Sequence, residues 1–507
     1  MSIYVIGIGG TGAKCIEGII QLASVGLFGE ETLNLLFVDA DETNGNLSRA
    51  LTSLEIYQKC YGLDIKDRHP WMQTKIESFP LWSPFANNSI NKNLGSFFQY
   101  NILKEDEPAL GNLFDVLYTQ EEREANLDVG FRGRPAIGAA VMSQVNLDTL
   151  DGDSWGTLMG KIQKDTGGGT RPKIFLCGSI FGGTGASGLP TIGRLIHNKL
   201  EALKVREKVD LGCLFVLPYF GFTPELGDNS EKVYARSEQF LLNTEAALRY
   251  YGSQAQETFD TVYLLGNQQL SPVKKFSVGK NTQRNDPHFI ELYAALAARQ
   301  FLLKTPPGQK TVVLMNRETL KTLTWEDIPD QKEVLPELIK ATRFAFVWLS
   351  NIAPELAEAK NIGGDGFRKR AGTAWFVKFF PASRGILTGG NTQKNADFND
   401  TKEQDAIKII TAWCQDYLRW LSHIHQCQGE SIQLFNADYF SGSKFNPENL
   451  SSLIFAQGDS RDQNKKSQDT IQKLKERLNP QNINPPNQGI IGLAKALYHV
   501  CELRKEN

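Results

Sequence analysis

Two glycine-rich runs carry the residue types and spacing needed to recognise a ligand. One is Gly7-Ile8-Gly9-Gly10-Thr11-Gly12; the other is Phe181-Gly182-Gly183-Thr184-Gly185-Ala186-Ser187-Gly188. A glycine at a strand-to-helix turn leaves its backbone N–H open to an anion, because no Cβ stands in the way. The helix N-terminus adds partial positive charge. Gly7, Gly9 and Gly12 fit the G-x-G-x-x-G dinucleotide fingerprint, and Asp39 or Asp41 supplies the acid expected at the end of the next strand. Lys14 follows the first run, but the G-x-x-x-x-G-K-[ST] phosphate loop is absent. Either run alone is common. Together they predict one ligand's phosphates gripped from two sides.

These loops need a parallel sheet to hold them. Residues 3–6 form a short continuous apolar run ending in glycines, the mark of a strand buried on both faces. From residue 13 the pattern turns helical, with Ile16, Ile19, Ile20 and Ala23 on one stripe, and residues 33–38 form the next strand, completing a βαβ unit. Residues 45–125 read as helices with an elaborated insertion. Gly130-Phe131-Arg132-Gly133-Arg134-Pro135 leads into an apolar helix over 136–145, with proline in its first turn. Strands follow at 173–177, 211–217 and 261–265, and helices at 189–203 and 234–251. Asn285-Asp286-Pro287 opens a long alanine-rich helix to about 303. After Pro306-Pro307-Gly308 the composition shifts: a strand at 311–315 and helices at 331–350 and 402–424 follow. Residues 436–489 are polar and loop-rich, with a charged helix near 464–478.

Composition narrows the function. The 507 residues hold 55 basic and 57 acidic side chains, so no long-range field draws the chain to nucleic acid or an anionic membrane. Seven cysteines, an odd number without a C-x-x-C pair, fit reduced thiols used as small hydrophobes. No apolar run approaches the roughly 18 residues of a membrane span, and the chain opens on a strand rather than a signal peptide. A cytoplasmic protein is expected. His423, His425 and Cys427 resemble a metal cluster, but only the outer two share a helix face and no matching pair lies nearby. No Ser-His-Asp or Cys-His set is present.

The second glycine run resembles the signature loop of the tubulin and FtsZ superfamily, where a G-G-G-T-G-rich turn wraps the phosphates of GTP. Phe181 stands in place of that string's first glycine, and Ala186-Ser187-Gly188 departs from the usual spacing; Pro190 matches a proline of the FtsZ form. The order of other pieces is similar too. The first run resembles the first FtsZ loop, and Phe37-Val38-Asp39-Ala40-Asp41 the loop in which N-T-D is usual. The stretch 130–135 sits where a loop toward the terminal phosphate belongs. Phe215-Val216-Leu217-Pro218 resembles the strand and proline before the sugar-contacting loop. Leu264-Leu265-Gly266-Asn267 is similar to the I-P-N string whose asparagine reads the base. Asn285-Asp286 lies where the central helix presents Asn or Asp to guanine. The F-G-G-T-G-A-S-G and N-D-P-H-F runs resemble those of a divergent group of bacterial tubulin-like proteins.

The resemblance implies an α/β fold. It would comprise a parallel-sheet GTP-binding domain over 1–285, a central helix over 286–303 and a second α/β domain with insertions over 304–507. It implies GTP or GDP with Mg²⁺, bound by Gly9, Gly10, Thr11, Gly12, Asp39, Asp41, Gly133, Arg134, Gly182, Gly183, Thr184, Gly185, Asn267, Asn285 and Asp286. Guanine's N1–H and amine suit a carboxylate such as Asp286, and an amide such as Asn267 both donates and accepts. In the superfamily a neighbouring subunit's acid positions the attacking water. Here Asp327 matches the second of two family acids while Thr324 occupies the first, with Glu326 as a substitute. Head-to-tail self-association into a filament is implied, and hydrolysis is the step this departure touches. Two rivals stand beside it. One is a nucleotide switch in a bacterial conflict or defence complex with other protein components and no filament. The other is a Rossmann NAD-binding or adenylating enzyme, since the doubled Gly9-Gly10 is also similar to ubiquitin-activating-type adenylating enzymes.

Overall fold

A computed structural model describes residues 2–63, 71–85, 92–145, 147, 153–222, 237–273, 277, 279–316, 322–370, 372–381, 396–440, 450–455, 469–479 and 488–502. The chain divides into two compact units: residues 1–20, 30–52 and 74–320 form the first, and residues 21–29, 53–73 and 321–507 the second.

The first unit is built on seven parallel strands: β1 (Ser2–Ile8), β2 (Thr32–Val38), β3 (Lys75–Ser78), β4 (Lys173–Ser179), β5 (Asp210–Val216), β7 (Thr261–Leu265) and β9 (Thr311–Met315). They are ordered β3-β2-β1-β4-β5-β7-β9. The apolar runs are central strands because both faces are covered: β4 and β5 are buried at every position. Short strands β6 (Phe220–Gly221) and β8 (Ser271–Pro272) pair separately, also in parallel. The helices that matter here are α1 (Gly9–Ser24), α2 (Gly45–Gly62), α3 (Pro135–Met142), α4 (Gly183–Ala202), α5 (Glu238–Thr258) and α6 (Phe289–Arg299).

Several boundaries differ from the sequence expectation. Helix α4 begins inside the second glycine run, not at 189, because Gly183 already has helical backbone and Gly182 is its N-cap. The helix expected from 286 begins at Phe289. His288 caps it: its side chain accepts from Ile290 N–H while the Glu291 carboxylate accepts from His288 N–H. A π-turn over Gln300–Lys304 carries it close to the expected end. The strand at 311–315, expected after the domain boundary, pairs with β7 and forms the sheet's edge. Residues 234–236 of the helix expected at 234–251 lie outside the described residues.

The second unit is helical among its described residues. Helices Gln331–Val347, Thr401–His425 and Gly489–Val500 bury an aromatic cluster in which Trp71 lies 5.1 Å from Phe344, 5.6 Å from Trp413 and 5.8 Å from Tyr498. Its described β-structure is two isolated bridges, Leu323 to Ile432 and Phe435 to Ile454. Of the charged helix expected near 464–478, Ile471–Arg477 is observed, while 464–468 lie outside the described residues, as does much of 436–489.

Candidate functional site

Strand order places the site. β1 and β4 are neighbours, but the chain winds outward from them in opposite directions, through β2 and β3 on one side and β5, β7 and β9 on the other. In an open α/β sheet the carboxyl ends of the strands flanking such a reversal leave a crevice, because their connections leave to opposite sides. Here those two ends carry the two glycine runs. β1 passes straight into α1, with Gly9 at φ +72°, a conformation glycine adopts without strain. The runs abut: a Cβ on Gly9 would stand 3.2 Å from Thr184 Cβ and 3.3 Å from Gly185 N. The N-terminal ends of α1 and α4 thus meet at one cleft.

Gly9, Gly10, Thr11, Asp39, Asp41, Gly133, Gly182, Gly183, Thr184, Gly185 and Asn285 all line it. A Cβ on Gly182 would meet only Ser179 Oγ, at 3.3 Å, so this position keeps open space in the cleft. The loop before α3 closes another wall, bending through Gly130 (φ +82°), Arg132 (φ +49°) and Gly133 (φ +70°). Asn243 of α5 ties this loop to the second glycine run, its amide donating to Gly133 O (3.2 Å) and Phe181 O (3.0 Å).

The two acids after β2 have different work. Asp41 is used locally: one oxygen accepts from Thr43 N (3.1 Å) and Oγ1 (2.9 Å), the other from Lys280 N (2.6 Å). Asp39 is fully buried, and its Oδ2 has no hydrogen-bond partner. Burial pushes its carboxyl up to about 7; the Asp41 backbone, the Ala40 backbone and the Thr184 hydroxyl offset this only in part. Asp39 is therefore a cleft acid with a vacant acceptor.

Under the first glycine run lies a buried polar network. The Lys14 ammonium pairs with the Glu291 carboxylate and donates to Tyr219 Oη at 3.3 Å, and the Tyr219 hydroxyl donates to Glu291 Oε1 at 3.0 Å. Burial raises the Glu291 carboxyl, while Lys14 pulls it back down. Burial, then Lys14, holds the His288 imidazole well below its ordinary value, so it sits neutral, 2.9 Å from Ser271 Oγ.

Other expected residues lie elsewhere. Gly12 packs beneath the loop, where a Cβ would come 2.6 Å from Cys177 O. Arg134 is the N-cap of α3 and faces a second cavity, with Nη1 3.5 Å from Glu122 Oε1. The Asn267 amide donates to Gln269 O at 2.9 Å, and Asp286 is exposed; neither lines the cleft. Glu326 and Asp327 belong to the second unit; Asp327 Oδ2 closes a capping box, accepting from Thr324 N at 2.7 Å. His425 is structural: its Nε2 accepts from Phe435 N at 2.9 Å.

The sequence reading missed a set of amides on the cleft. Asn44 Nδ2 donates to Gln283 Oε1 (2.9 Å), and Asn46 Oδ1 accepts from Asn285 N (2.8 Å). Asn44-Gly45-Asn46 reads as a turn, and its side-chain roles depend on a loop far along the chain. Among the described residues no group of three or more His, Cys, Asp or Glu could hold a metal ion, and no helix is long and apolar enough to cross a membrane.

No family model and no curated protein matches this chain. Among solved structures it is similar to CetZ from Methanosaeta thermophila, at 14% identity and a TM-score of 0.26, with 58% of this chain and 52% of that chain covered. It is also similar to the GDP-bound monomer of CetZ1 from Haloferax volcanii, at 12% identity and a TM-score of 0.24, with 52% and 51% covered. The chain spans about half the length of these structures, and the superpositions are too loose to add to the geometry above.

Proposed function

We propose that this chain is a nucleotide-binding protein of tubulin/FtsZ type whose ligand is GTP or GDP. The observation that carries this reading is the meeting of two glycine runs, each at a helix N-terminus, at the strand-order reversal between β1 and β4. Backbone N–H groups of both runs would hold the phosphates, with two helix dipoles in support. A dinucleotide enzyme needs one such run at its pyrophosphate and leaves the other without a task.

The vacant Oδ2 of Asp39 suits a ligand hydroxyl, such as those of a ribose. Asn44, Asn46, Gln283 and Asn285 give the cleft amides that donate and accept, as reading a guanine edge requires. Mg²⁺ fits as an ion carried by the phosphates rather than caged by protein, with the Thr11 and Thr184 hydroxyls as hard oxygen donors; it would neutralise phosphate charge. In this reading turnover is slow and needs Glu326 or Asp327 of a neighbouring copy. Such a head-to-tail contact that does not close gives a filament.

The test is to denature the purified protein and identify the released nucleotide by chromatography. Released GTP or GDP, lost from a Gly183→Ala/Thr184→Ala variant, supports the reading. Released NAD or ATP would replace it with the Rossmann or adenylating alternative. Sedimentation with GTP, GDP or neither then separates a filament former from a switch that stays unpolymerised.

A further inference from the structure

We propose that a second cavity of the first unit binds an apolar molecule carrying a single carboxylate. The cavity measures about 580 Å³, within the usual range for small-molecule sites. It lies among α3, α4, α5 and the end of helix Pro108–Leu117. Ile137 and Pro190 contribute apolar wall. At its rim Leu117, Leu242 and Tyr250 are 57%, 66% and 41% exposed, an apolar lip that no described residue covers.

The polar groups set the ligand's charge. Arg134 already faces the Glu122 carboxylate. Arg194 lines the same cavity, is exposed, and makes no ion pair or hydrogen bond among the described residues. One guanidinium is thus uncompensated, which matches one carboxylate, and Glu122 disfavours a second negative charge. An apolar body against the walls with its carboxylate on Arg194 satisfies both halves of the site.

The floor gives this site a reach beyond itself. Ser187 and Asn243 line the cavity. Ser187 Oγ donates to Gly183 O at 2.8 Å, and Asn243 holds Gly133 O and Phe181 O. Gly133 lines both this cavity and the glycine cleft. An occupant therefore rests against the back of the loops that form the first site, whatever ligand that site takes.

The test is calorimetric titration of the full chain with decanoate, kept below its micelle threshold, and with decanol as the uncharged counterpart. Decanoate should bind about tenfold more tightly than decanol, and Arg194→Ala should remove that preference, as expected for one charge-assisted hydrogen bond. Ala246→Phe, which fills the cavity from an exposed helix position, should abolish binding of both while leaving the thermal midpoint in place. Bound decanoate should also slow amide exchange over 181–185. Equal affinities indifferent to Arg194→Ala, or no heat from either ligand with folded protein, would overturn the proposal. So would a protein dimer that shuts this face to both. The two affinities and their response to Arg194→Ala do not depend on which nucleotide, if any, the first cleft holds; the exchange over 181–185 is compared at the same nucleotide content with and without decanoate.

Discussion

At the scale of single residues, Asp39 and Lys14 are buried charges with opposite consequences for stability. Asp39 is held near a pKa of 7, against 3.8 when exposed, so the folded state disfavours its charge. The sign follows from proton binding: between about pH 4 and pH 7 the folded protein holds a proton that the unfolded chain has lost. Stability from this site is therefore full below pH 4, falls as pH rises to about 7, and is flat above. Asp39→Asn should raise the thermal midpoint at pH 8, in line with about 2–4 kcal/mol, and the gain should vanish toward pH 4. Thermal denaturation across that range checks it, and the same variant should retain nucleotide less well. A midpoint difference constant with pH would show that Asp39 is not buried with an unmet charge. Lys14 and Glu291 present the opposite case, a buried pair whose side chains are 3% and 1% exposed. Lys14→Met should cost about 3–5 kcal/mol because it strands a buried carboxylate, and adding Glu291→Gln, which removes the charge but keeps an amide oxygen for the buried donors, should recover part of that. Denaturant titration of the two variants and their parent decides it.

At the scale of elements, the two glycine runs contain glycines of two kinds, and substitution should separate them. At Gly12 a new Cβ would meet the backbone of Cys177 on the neighbouring strand at 2.6 Å, so α1 must lift from the sheet. Gly12→Ala should lose about 2 kcal/mol or more, in the manner of an overpacked core, whatever ligand is present. At Gly182 the Cβ would enter the cleft with only Ser179 Oγ near. Gly182→Ala should leave the thermal midpoint within about 1 °C, about 1 kcal/mol in a chain of this size, yet weaken nucleotide retention at least tenfold. Equal losses of stability in both would mean the cleft glycines serve packing alone. This distinction marks what a sequence can disclose. β1, β2, β4, β5 and β7 were legible because strands buried on both faces are near-continuous apolar runs, broken here only at points such as Asn34 in β2. The glycine loops were legible because they need glycine at fixed spacing. The start of α6 was misread at Asn285 because the cap is His288, whose side chain takes that role through Glu291. Asp286 and Asn267, expected on the base, lie off the cleft, while Asn44, Asn46 and Gln283 reach it through contacts between distant loops. The resemblance implies a second α/β domain from 304; the strand at 311–315 belongs to the first unit's edge, and the described elements of the second unit are helices and isolated bridges.

At the scale of the whole molecule, the cleft proposed to bind nucleotide and the acids proposed to act in hydrolysis lie in different units. The cleft lies wholly in the first; Glu326 and Asp327 lie in the second, where Asp327 already serves a capping box and Glu326 is exposed. If a neighbour's acid completes the site, then a subunit needs its own cleft but another's acid, and the two defects can be divided between chains. GTP turnover per molecule should therefore rise with protein concentration. Glu326→Gln/Asp327→Ala should abolish turnover yet keep its nucleotide, and Gly182→Ala should lose both. Mixed in equal amounts, the two inactive variants should recover activity. Intact clefts of the first would face intact acids of the second, so about one contact in four would be productive under random head-to-tail pairing, because the interface is heterologous and each contact uses a different face of each partner. A mixture as inactive as its parts, together with wild-type turnover independent of concentration, would place any hydrolysis within a single subunit. The protein would then act as a nucleotide switch whose output does not pass through a polymer.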